Sequence, residues 1–222
     1  MKLDEQPTGA GADVTGSRRA RREKRRLEAF SDGVFAIAVT LLVLEIKVPV
    51  LADLPSGSLG LALLRQWPSY LAYLLSFSVI LIMWVNHHVL VDLVREVDHA
   101  FFYLNGLLLM TITLLPFPTA LLAQYAEDPR NGHLAASVYC GLCVFIALFF
   151  NAVWWYAASR GRLLHEDVSA GGTGVTRRYM FGPLFYLVAV AVSFVSVPGA
   201  LIICAALAVF FAWPYRPAPT RS

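Results

Sequence analysis

Charged and hydrogen-bonding side chains gather where this chain is otherwise apolar. From Arg26 to Pro49 it reads RLEAFSDGVFAIAVTLLVLEIKVP, a run long enough to cross a bilayer. Arg26, Ser31 and Asp32 sit beside or inside it. A charge in hydrocarbon costs on the order of 3 kcal/mol or more, so an ionisable residue at that depth has a task by default. A carboxylate there ligates a cation, exchanges protons, or accepts hydrogen bonds from neighbouring helices. A second polar set, MWVNHHVLVDLV, runs from Met83 to Val94. In it Trp84 and His88 share a face at i, i+4 spacing, and His87 is rotated away from that face. Asn105 follows on the next apolar run.

With the N-terminus on the cytoplasmic side, the first run begins where the second ends. Arg26, Asp32, Trp84 and His88 then lie at similar depth, with Asn105 about one and a half turns into the third run. The expected arrangement is a buried cluster: Asp32 as acceptor, Arg26 as its cation, and Trp84, His88 and Asn105 as donors. The competing reading makes these residues interfacial anchors, with Ser31 or Asp32 capping a helix that starts at Gly33. That helix would have 16 residues to Val48, roughly 24 Å, short of a hydrocarbon core of about 30 Å. The cluster is therefore preferred. At 100° per residue Gly33, Ile37, Leu41, Leu44 and Val48 form one stripe, with Thr40 at its border. Asp32 projects about 140° from Ile37, so an aliphatic ladder and a carboxylate occupy different faces.

The elements that must position these groups follow from hydropathy. The chain has 222 residues, 58% of them hydrophobic, and a mean hydropathy of +0.61. Spanning helices need about 20 mostly apolar residues. Six candidates appear, at about 28–49, 67–91, 99–124, 133–158, 179–196 and 199–214, the last two sharing a Ser-Val-Pro-Gly turn at 196–199. The expected organisation is a basic, disordered cytoplasmic arm over 1–27, a transmembrane domain over 28–214 and a short cytoplasmic tail over 215–222. Fifteen of the eighteen Lys and Arg residues fall on one side if there are six helices and both termini are cytoplasmic, and only Lys47, Arg65 and Arg130 fall on the other. The same rule explains RRARREKRR at 18–26 better than nucleic-acid binding does. The arm is also a poor cleavable signal peptide.

Other features read as structural. Cys140 and Cys143 have C-x-x-C spacing but lie in an apolar helix, as does Cys204, and are read as small residues at helix contacts. Pro116 and Pro118 mark a kink or the outer end of the third span. Trp154, Trp155 and Tyr156 read as an aromatic belt. His165, Glu166 and Asp167 read as solvated loop surface. No Walker loop, H-E-x-x-H, G-x-S-x-G or TVGYG is present. No enzymatic activity, cofactor or resident metal is expected.

Arg26-x-x-x-Phe30-Ser31-Asp32, followed by GVFAIAVTLLVLEI, closely resembles the first helix of the transmembrane protein 175 family, the endolysosomal potassium channels of animals and their bacterial relatives. WVNHH and the region of Asn105 agree with it, whereas the last three spans match only in kind. The resemblance implies a single-repeat bacterial member in the bacterial plasma membrane: an all-α, six-helix subunit forming a homotetramer, with a central pore lined by the first helices. It implies passive, potassium-preferring conduction of monovalent cations, with potassium bound only in transit. The constriction would be formed by Ile37, Leu41 and Leu44, with Thr40 as a hydroxyl layer that tunes selectivity. Arg26, Phe30, Ser31, Asp32, Trp84, His88 and Asn105 would form the network behind the pore. The alternative is a proton- or cation-coupled secondary transporter using Asp32 and His88. Such proteins usually bring inverted repeats and broken helices, which the sequence does not display.

Overall fold

The computed structural model describes residues 10–50, 58–160, 163–164 and 179–213, and among them the chain is all-helical apart from one isolated bridge between Val94 and Leu164. Helix α1 spans Ala10–Leu41 and tightens into a 3-10 turn at Leu42–Glu45. The arm expected to be disordered up to residue 27 is therefore helical from Ala10 onward. Its Ala, Arg, Lys and Glu residues are strong helix formers. The i, i+4 pairs Arg19–Glu23 at 3.1 Å and Lys24–Glu28 at 3.9 Å support it. Residues 1–9 and the tail expected over 215–222 lie outside the described residues. The helical run ends at Glu45 rather than 49, because Ile46 turns to an extended conformation. Val48, expected on the aliphatic stripe, stands beyond the helix.

The short α2 (Leu59–Arg65) has no counterpart in the sequence reading; it begins where Ser58 accepts from the Leu61 N–H. Helix α3 (Trp67–Asp92) and α6 (Gly132–Ser159) lie within a residue or two of their expected bounds. The third span is two pieces, α4 (His99–Thr113) and α5 (Pro116–Tyr125). The break is a kink, since Pro116 and Pro118 offer no N–H to the preceding turn. Helices α7 (Gly182–Ser193) and α8 (Val197–Ala212) follow. Ser196 caps α8 by accepting from the Gly199 N–H at 3.1 Å. A Cβ on Gly199 would come within 3.1–3.3 Å of the Ser196 and Val192 side chains, so a larger residue at the joint between α7 and α8 would press on both.

Four segments are long and apolar enough to cross a membrane: Arg18–Glu45, Trp67–Asp92, His99–Tyr125 and Gly132–Ser159; α7 and α8 are shorter. Helix α6 is central and packs against α4, α5, α7 and α8; α3 packs against α5, α8 and α1. Helix α1 lies at the edge. It packs on α3 and α4, and its terminal turn reaches α3 and α5. The core is cross-braced by hydroxyls: Ser76 on α3 meets Thr119 on α5 at 2.7 Å and donates to Tyr139 on α6 at 3.2 Å. In hydrocarbon such groups must find partners within the protein, and these three join α3, α5 and α6. At one end of the bundle the Arg95 N–H donates to Leu163 O at 2.7 Å. That contact ties the α3–α4 loop to the chain leaving α6.

Candidate functional site

Helix α1 has two faces of opposite fate. Leu27, Ser31, Phe35, Ala38 and Leu42 recur at helical spacing and are fully buried against the subunit core. On the other side Ile37, Leu41 and Leu44 are 59%, 40% and 61% exposed, and Thr40 beside them is also exposed. The Thr40 hydroxyl donates its proton to Ile37 O at 2.9 Å. Its remaining lone pairs are thus free to face outward, so the group can act as an acceptor toward a cation. The aliphatic ladder and its one acceptor layer are thus left uncovered by the chain's own helices.

Behind this ladder the polar residues form two parallel chains rather than one cluster. Adjacent residues on a helix point about 100° apart, and two adjacent pairs use that divergence. Asp32 accepts from Trp84 Nε1 at 2.9 Å and lies 3.3 Å from His88 Nε2. His88 Nδ1 faces the Trp84 carbonyl at 3.1 Å. Both ring nitrogens therefore face acceptors. About 100° round each helix, Asn105 donates through Nδ2 to Ser31 Oγ at 3.0 Å and through Oδ1 meets His87 Nε2 at 2.7 Å. With Nδ2 donating to Ser31, Oδ1 is left as an acceptor for a proton on His87 Nε2. These contacts join α1, α3 and α4 at one level.

The arrangement corrects three expectations. Asn105 does not donate to Asp32. His87, expected to point away, is only 2% exposed and lies in the network; the face of α3 turned from Asp32 is turned toward α4 and Phe35, whose ring centroid is 5.4 Å away. Arg26 is not the cation of Asp32. Six residues along a helix separate them by roughly 9 Å and 240°, and Arg26 makes no ion pair or hydrogen bond among the described residues. Arg26 and Phe30 instead extend the exposed stripe of Gly33 and Ile37 toward the N-terminus. They border a groove of about 450 Å³ with Glu23, His99 and Tyr103, and Phe30 is 63% exposed.

Elsewhere, Trp154 belongs to the core rather than to an aromatic belt, whereas Trp155 is exposed. All three cysteines are buried, and Cys140 meets Cys204 across α6 and α8 at 3.5 Å rather than its sequence neighbour Cys143. His165, Glu166 and Asp167 lie outside the described residues. Sequence reasoning missed Ser76, Thr119 and Tyr139. It also missed two structural amides. Asn86 donates to the carbonyls of Ile82 and Phe211, and Asn151 donates to those of Ala147 and Tyr179. Isolated polar residues in apolar runs were the available signal.

The family model described as "Endosomal/lysosomal potassium channel TMEM175" matches residues 26–116, which hold every member of both polar chains and the ladder. A potassium channel of Chamaesiphon minutus is 54% identical over 191 residues, covering 86% of this chain and 94% of the relative. One from Streptomyces collinus is 48% identical over 200 residues, covering 90% and 96%. The crystal structure of a lysosomal potassium-selective channel TMEM175 homolog from Chamaesiphon minutus superposes with a TM-score of 0.78 at 53% identity, covering 86% of this chain and 97% of that one.

Proposed function

The chain belongs to the TMEM175 family, and from that membership we propose that it is a potassium-preferring cation channel: a homotetramer with α1 of each subunit around a central pore. Six membrane crossings per subunit and two cytoplasmic termini complete the reading. The fifth and sixth crossings are α7 and α8, and the membrane is the bacterial plasma membrane. The observation that carries it is the orientation of α1. One face is buried on α3 and α4, and the opposite face leaves Ile37, Leu41 and Leu44 uncovered. Around an axis these side chains form the constriction. A narrow aliphatic neck excludes hydrating water, and partial dehydration costs sodium more than potassium. Thr40 supplies oxygens one step off the neck. Ser31, Asp32, Trp84, His88 and Asn105 act as positioning residues that hold α1 against the subunit, with His87 added to them. The close pairing of Asp32 with Trp84 and His88 supports this role over that of a transporter's ion ligand.

Recording from purified protein in planar bilayers under a potassium/sodium gradient tests the proposal. Unitary currents reversing toward the potassium potential are expected. Saturable coupled flux without unitary events would replace the channel with a transporter.

A further inference from the structure

The exposed stripe of α1 does not stop at the ladder. At about 100° per residue, Phe30, Arg26 and Arg19 fall within about 20° of Ile37, and Arg22 within about 60°. All four are exposed, and the Arg19 side chain is 82% so. Helix α1 is unbroken over this stretch, so the phase carries through. Glu23, about 40° from Ile37, is the acid on this side, and it is committed to Arg19 at 3.1 Å. Arg22 and Arg26 make no ion pair or hydrogen bond among the described residues. Over residues 18–28 seven Lys and Arg stand against Glu23 and Glu28, a net five positive charges. The other end of the ladder differs. There Glu45 and Lys47 lie 3.9 Å apart and balance each other, and Lys47 Nζ donates to Leu44 O at 3.1 Å.

Rings of acidic side chains serve cation pores, whereas Arg and Lys rings serve anion pores. A basic stripe that continues the face lining a cation path is out of place. Resting on the channel reading above, we propose that Arg19, Arg22 and Arg26 of the assembled subunits form a positive ring at the N-terminal mouth, which sets the valence and direction of conduction. The ring depletes cations locally, as a mouth lined by one sign of charge does. A divalent cation carries twice the charge, so its depletion is the square of the monovalent factor. Along the helix Arg26 stands about 16 Å from Ile37 and Arg19 about 27 Å. The Debye length at physiological ionic strength is about 8 Å. The ring therefore governs entry and leaves discrimination between monovalent cations to the neck. Because the far mouth is balanced, cations enter more readily from there. With a cytoplasmic N-terminus, potassium current is larger inward than outward, and cytoplasmic magnesium is kept from the neck.

The test records single channels of the full-length protein in planar bilayers with the same potassium chloride solution on both sides. Arg22→Cys is modified during recording by methanethiosulfonates that attach either a cationic trimethylammonium or an anionic sulfonate. The chain's own cysteines are buried, and reaction from one side only marks the N-terminal mouth. Wild type and the trimethylammonium adduct should pass less current for cations entering at that mouth than for cations leaving there, by about twofold or more at about 0.15 M salt. The sulfonate adduct should lose or reverse that bias. Magnesium added at that mouth should inhibit the sulfonate adduct severalfold more strongly than the trimethylammonium adduct. At about 1 M salt, where the Debye length is about 3 Å, the wild-type bias should flatten. Arg21→Cys controls for phase, since it sits at the same depth but about 160° from Ile37, and it should respond severalfold less. Linear wild-type currents, equal effects of the two reagents, or equal responses at positions 21 and 22 would overturn the inference and leave the channel standing. Unitary currents absent from every variant would instead remove the channel reading, and the ring with it.

Discussion

At the scale of single residues, adjacent positions on one helix carry different duties. Asp32 anchors α1 through Trp84 and His88, yet its side chain is 46% exposed within the subunit, so a fully buried ion pair is the wrong comparison. Asp32→Ala removes the acceptor of Trp84 Nε1, which costs about 1–2 kcal/mol. Asp32→Asn keeps an acceptor and should retain most of that. Size-exclusion recovery of the assembled protein should therefore rank wild type, Asn, then Ala. Normal assembly of Asp32→Ala with a changed reversal potential would instead place the residue in the pore. On the ladder, Ile37→Asn should wet the constriction and raise unitary conductance. Thr40→Val keeps the shape and deletes the acceptor oxygen, so it should shift the reversal potential toward that of a non-selective pore. Single-channel current and bi-ionic reversal potential separate the two effects, and no change in either variant would reduce the stripe to a packing seam.

Among elements, Asn105 on α4 bonds to both other helices, to Ser31 on α1 and to His87 on α3. Asn105→Leu leaves His87 Nε2 and Ser31 Oγ buried without that partner. The expected loss is about 1–3 kcal/mol, read as a lower midpoint in thermal unfolding of the detergent-solubilised protein. An unchanged midpoint would mean that water or relaxation replaces the amide. The sequence located α3, α4–α5 and α6 well, because a lipid-spanning helix must be apolar along its whole length and hydropathy records that. It also separated the Asp32 face from the Ile37 face, since helical phase is fixed by spacing. What it left hidden was which neighbour each face meets. His87 and His88 are equally polar in sequence, and only the position of α4 makes His87 the more buried. Arg26 was drawn to Asp32 by charge, although helix geometry puts them on different sides. The tightening at Leu42–Glu45 and the helix at Leu59–Arg65 left no hydropathy signal, because backbone turns of a few residues barely alter composition.

For the whole molecule, the exposed ladder predicts association. One subunit presents a single copy of Ile37, Leu41 and Leu44, and a closed neck requires a ring, for which rotational symmetry is the usual solution. Native mass spectrometry of protein released from mild detergent should give a tetramer, and a stable monomer or a dimer alone would contradict it. Topology is tested separately. Single cysteines introduced at Arg19 and Arg95 should react with impermeant maleimide only from the cytoplasmic side, and one at Arg130 only from the opposite side. Labelling of Arg19→Cys and Arg130→Cys from the same face would break the six-crossing arrangement.

The link from Ser31 through Asn105 to His87 also sets a clock for synthesis in the cell. His87 leaves the ribosome before its partner exists, and 18 positions separate the two. At about 5–20 residues per second the interval is roughly 1–4 s. Throughout it the nascent hairpin of α1 and α3 holds an imidazole and a hydroxyl that lipid cannot satisfy. Pairing of both groups is completed at once, when α4 arrives and Asn105 reaches them.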